Sequence, residues 1–61
     1  MKSRPEPGAA DLRARALALL ARREHSRAEL ERKLARAGFV RDDIAALLDE
    51  FETRNWLSDR R

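Results

Sequence analysis

A chain of 61 residues, 43% hydrophobic and 41% charged, has room for one small domain, and at this length only ~60% of the extended surface is buried on folding. The absence of cysteine excludes a disulfide framework and a thiolate metal site. No apolar run approaches the ~20 residues that cross a bilayer, and the charged, proline-containing start is not a secretory signal, so no membrane is expected and the cytoplasm is the expected compartment. The net charge of +3 is unevenly spread, with eleven Lys/Arg against five Asp/Glu in residues 1–41 and three against six in residues 42–61. A basic first part suits nucleic acid or an acidic protein surface; the plainer reading is that the charges only solvate helix faces.

Residues 1–8, MKSRPEPG, hold Pro5, Pro7 and Gly8 without apolar periodicity and read as a disordered or extended arm. Lys2 and Arg4 add charge to it. A first helix is predicted from Ala9 or Ala10 to Glu24, because Leu12, Ala16, Leu19, Leu20 and Arg23 recur on one helical face. Six alanines in this stretch favour helix. Arg15 and Arg22, seven apart, project from one flank, and Ala14, Ala18 and Ala21 form a small-residue back.

The next signal is a corner. Ser26-Arg27-Ala28-Glu29 is a capping box: the Ser26 hydroxyl accepts from the Glu29 amide, and the Glu29 carboxylate reaches back to the Ser26 amide. A second helix is predicted from Arg27 to about Ala37, stopped by Gly38 in the left-handed conformation. Leu30, Leu34 and Ala37 should face inward, with Arg32, Lys33 and Arg36 outward and Glu29 within reach of Lys33. Phe39 follows as an apolar plug. A third helix is predicted from Arg41 to about Arg54, with Ile44, Leu47, Leu48 and Phe51 as its stripe. Asp42 and Asp43 suit the positive end of its dipole, and Val40 is a poor N-cap. Asn55 is a left-handed stop, and Trp56 and Leu57 fold back as a final apolar pair. The fold class is all-α: one three-helix unit over residues 9–61 behind a flexible arm.

No catalytic constellation emerges. His25 is a lone histidine, whereas a metal site needs several ligands; a bond from its ring to the last carbonyls of the first helix accounts for it. Ser26 beside His25 suggests a nucleophile and base, but capping explains Ser26. Asp42 with Asp43, and Asp49 with Glu50, are expected on the solvent face of the third helix, without the burial that would separate their pKa values. There is no Gly-rich phosphate loop, so neither a cofactor nor an enzyme is expected.

Arg-Arg-Glu-His-Ser-Arg-Ala-Glu-Leu (22–30), then Lys33-Leu34, Gly38-Phe39 and Asn55-Trp56-Leu57-Ser58-Asp59, resembles the first repeat of the RecX family, bacterial regulators of the RecA recombinase. The likeness runs from about Leu12 to Arg61. Val40 departs from it, since the family pattern usually places a polar cap there. The resemblance implies further three-helix repeats in series, so the chain reads as the N-terminal fragment of a longer repeat protein. It also implies binding to the RecA–DNA filament that hinders strand exchange and ATP hydrolysis, within DNA repair and the SOS response. The candidate contacts are Arg15, Arg22, Arg27, Arg32, Lys33 and Arg36, with His25, Ser26, Glu29 and Gly38 as the structural motif. Two other readings stand beside it: a small helix-turn-helix module with weak direct DNA contact, and an inactive truncated fragment. An isolated unit should also self-associate through the Trp56 and Leu57 end.

Overall fold

A computed structural model describes residues 8–58. The expected arm, apart from Gly8, and the residues after Ser58 lie outside the described residues. Three helices are present: α1 (Ala9–Arg22), α2 (Arg27–Arg36) and α3 (Arg41–Thr53). The fold is all-α. Among the described residues the one β-type pairing is an isolated parallel bridge between Ser26 and Ser58, where the Ser58 amide donates to the His25 carbonyl at 2.9 Å.

The core follows from the spacing of apolar residues. Leu12 and Ala16 from α1, Leu30 and Leu34 from α2, and Ile44, Leu48 and Phe51 from α3 are buried together. Each set recurs at intervals of three or four residues, so each lies on one helical face. Leu19, Leu20, Phe39, Leu47 and Leu57 are half-buried around this cluster.

The corners are set by local chemistry. Between α1 and α2 the capping box forms: the Glu29 amide donates to Ser26 Oγ at 3.2 Å, and the Ser26 amide to Glu29 Oε1 at 3.3 Å. Replacing Ser26 with alanine should therefore destabilise the chain by about 0.5–2 kcal/mol. Paired urea melts check this, and coincident midpoints would show that the cap contributes nothing.

The α2 and α3 ends share one device. Gly38 (φ 100) and Asn55 (φ 62) adopt the left-handed conformation. After α2, Phe39 N–H reaches Leu34 O at 3.3 Å and Gly38 N–H reaches Ala35 O at 3.1 Å. After α3, Trp56 N–H reaches Phe51 O and Asn55 N–H reaches Glu52 O, both at 2.9 Å. Both patterns are Schellman motifs, which bring an apolar residue back onto the last turn. Trp56 thus packs against Phe51 in a tilted pair, with ring centroids 5.2 Å apart and 54° between the ring planes.

Two expectations shift. α1 ends at Arg22 rather than Glu24, because the chain extends at Arg23 (φ −173, ψ 171) to carry His25 under the corner. Arg23 therefore leaves the inner face and is exposed. Ala37, expected to face inward, is the exposed C-cap of α2, since the turn at Gly38 carries Phe39 to the core in its place. Trp56 folds back onto Phe51 and is 42% exposed, in keeping with the apolar end expected there.

Candidate functional site

The charged side chains divide into those used up inside the fold and those left outside it. Arg13 Nη1 lies 2.9 Å from the Glu50 carboxylate, and its guanidinium sits 5.9 Å from the Phe51 ring centroid. Arg54 reaches the same carboxylate at 3.2 Å and lies 5.1 Å from the Trp56 ring. Arg27, one of the expected contact residues, is drawn between α2 and α3 instead. Its Nη1 donates to Asp49 and to Glu52, each at 2.9 Å, and its Nη2 lies 3.5 Å from the Ala45 carbonyl. The bond to Asp49 raises the Arg27 pKa. The bond from Arg13 lowers that of Glu50.

These pairs correct two expectations about carboxylates. Glu50 is half-buried and bridged rather than free on the solvent face of α3, whereas Asp49, though paired with Arg27, stays exposed as expected. Much of the acidic charge of α3 is thereby neutralised internally. Glu29 turns away from Lys33 and takes Arg23 Nη2 at 2.6 Å, because the extended corner brings Arg23 beside the capping box.

That bond, followed by the Ser26 amide, lowers the Glu29 pKa to about 2. An unconstrained glutamate titrates near ~4.3, so the contact stabilises fully above that value and is lost as pH falls through the folded-state value. Urea midpoints should fall across this window, and fall less in a Glu29→Gln variant. Parallel falls in the two proteins would show that the Glu29 contact carries no pH-dependent stability.

His25 is 1% exposed and fully partnered. Its Nδ1 lies 2.9 Å from the Arg23 carbonyl and its Nε2 3.0 Å from Lys33 Nζ. An ammonium only donates, so Nε2 accepts and Nδ1–H donates, which is the neutral ring. Among the described residues no group of three or more His, Asp or Glu side chains is placed to hold a metal ion.

What remains is a set of arginines without partners. Arg15, Arg22, Arg32, Arg36 and Arg41 have no hydrogen bond or ion pair with any described residue, in contrast to Arg13, Arg23, Arg27 and Arg54. Arg22 and Lys33 meet, beside Arg23, at a cleft of about 410 Å³ between the end of α1 and α2. Arg15 lies two helical turns earlier on the Arg22 flank. Arg32 and Arg36 instead border a wider trough between α2 and α3, of about 740 Å³. Arg41 joins them there. The sequence reading missed Arg41, because only the geometry of the Gly38 corner brings the first residue of α3 beside the last turn of α2.

A family model described as the first three-helix domain of RecX matches residues 13–51. The "Regulatory protein RecX" of Ralstonia nicotianae is 60% identical over 50 residues, which cover 82% of this chain and 31% of that protein. The protein of the same name from Herminiimonas arsenicoxydans is 58% identical over 50 residues, covering 82% and 33%. That of Neisseria meningitidis is 48% identical over the same shares. The chain thus spans about a third of the length of these relatives. No solved structure matches it. No helix among the described residues is long and apolar enough to cross a membrane.

Proposed function

The chain belongs to the RecX family, and from that premise we propose that it works as a non-enzymatic regulatory module that binds the RecA–DNA filament in the cytoplasm. There it slows strand exchange and ATP hydrolysis, within DNA repair and the SOS response. The observation that supports this reading is the set of unpaired, exposed arginines: Arg15, Arg22, Arg32 and Arg36, with Lys33 beside them. Side chains already bridged inside a fold have little to offer a partner, whereas these four arginines have no partner among the described residues and keep their donors available to carboxylates or phosphates.

Adding the chain to a RecA–DNA filament that is hydrolysing ATP should lower the rate as its concentration rises. An unchanged rate with the chain in excess would favour the inactive-fragment reading. The reading as a DNA-binding helix-turn-helix is opposed by Asp42 and Asp43. They stay exposed and have no partner among the described residues, in the first turn of α3, where a helix entering a groove would bring them to the phosphates.

Self-association is part of the same proposal. Trp56 is 42% exposed at the end of the unit, flanked by half-buried Leu57. Sedimentation should show mass rising with concentration, with Trp56 emission shifting to the blue. A strict monomer with concentration-independent emission would exclude association through this end.

A further inference from the structure

We propose that the trough between α2 and α3 docks an amphipathic helix of a partner protein, one whose narrow apolar row is edged by carboxylates. The floor of the trough is made by Ala28 and Ala35 of α2, Ala45 of α3 and the edge of Ile44. Ala28 and Ala35 are seven apart, so they lie two turns apart on one face. Small side chains there let a third helix settle into the space between two packed ones.

The rim supplies the charge that selects the occupant. Arg32, Arg36 and Arg41 border the trough, and none has a partner among the described residues. Arg32 and Arg36 are four apart, which matches carboxylates placed one turn apart on a facing helix.

Glu31 and Asp42 also line the trough, and they decide between classes of partner. A nucleic-acid strand presents a continuous row of phosphates and would set some of them against these two carboxylates, over an apolar floor that gives phosphates nothing. A helix can place glutamates opposite the arginines, neutral residues opposite Glu31 and Asp42, and an apolar row on the alanines. The proposal draws on the family reading only for the existence of a protein partner. Its test contains no recombinase, so the two readings fail separately.

The test is a titration of the isotope-labelled 61-residue chain with a synthetic helical peptide bearing a leucine row flanked by glutamates. A lysine-flanked version and a single-stranded oligonucleotide serve as competing probes. Shifts should concentrate at Ala28, Ala35 and Ala45. Affinity should fall about tenfold or more in Ala35→Phe, which fills the trough from an exposed position, and in Arg32→Glu with Arg36→Glu. Circular dichroism verifies that each variant stays folded, and Leu17→Ala, on α1 and outside the trough, should bind as the parent does. Equal binding of the lysine peptide, shifts lying elsewhere, or unaltered binding by both folded trough variants would overturn the proposal. So would tighter binding of the oligonucleotide at the same residues.

Discussion

Replacing Phe51 with alanine should leave the chain largely unfolded in water at room temperature. Phe51 is fully buried, and it joins the two parts of the structure that a small helical unit most needs. It belongs to the same buried cluster as Leu30, Leu34 and Leu48. It is also the platform on which the last turn motif sets Trp56, at 5.2 Å, and over which Arg13 crosses from α1. Deleting a buried phenylalanine ring costs about 3–5 kcal/mol. A single core of this size rarely supplies more than about 3–5 kcal/mol in all, so the loss matches the whole margin. Leu17, by contrast, is 38% exposed, and Leu17→Ala should move stability by no more than about 0.5 kcal/mol. Far-UV circular dichroism with urea titration separates the cases. The parent and Leu17→Ala should unfold cooperatively at similar midpoints, and Phe51→Ala should show no folded baseline. A cooperative Phe51→Ala transition close to that of the parent would mean that the core is organised differently.

The number of helices and their approximate limits were legible in the sequence because each depends on local signals. Apolar spacing marked the buried faces, Ser26 and Glu29 marked the start of α2, and Gly38 and Asn55 marked the left-handed stops. None of these needs knowledge of how the helices pack. The placement of Arg23 and Ala37 was not legible in the same way. Arg23 continues the periodicity of α1, yet the chain must extend there for His25 to reach the interior. Ala37 is apolar at a plausible inward spacing, but the turn that begins there hands its place to Phe39.

Pairing of charges was the least legible feature. Glu29 has Lys33 one turn ahead on its own helix, but the structure gives it Arg23 from across the corner and gives Lys33 to His25. Arg27 looks like any other outward arginine of α2 until α3 brings Asp49 and Glu52 to it from more than twenty residues away. Partner choice of this kind depends on helix separation and side-chain rotamers, which spacing along the chain does not encode. The same limit hid the meeting of Arg41 with Arg32 and Arg36.

Removing the four unpaired arginines Arg15, Arg22, Arg32 and Arg36 should weaken filament binding far more than it alters folding. None of the four makes a hydrogen bond or ion pair with a described residue, and exposed substitutions of this kind usually shift stability by no more than about 0.5 kcal/mol each. If each contributes about 0.2–1 kcal/mol to binding, as exposed charge pairs do, four together give about 1–4 kcal/mol. Every 1.4 kcal/mol is tenfold in affinity, so a loss of about fivefold or more is expected, larger at low salt. Arg27→Ala should behave in the opposite sense, lowering the urea midpoint through its lost ties to α3 while changing binding less.

The most direct measurement compares the parent and the four-alanine chain for binding to preformed RecA–DNA filaments at physiological salt, with urea midpoints taken on both. Affinity lower by about fivefold or more, at unchanged midpoints, is the predicted result. Equal affinity at equal midpoints, or a folded parent that does not bind the filament at all, would contradict it.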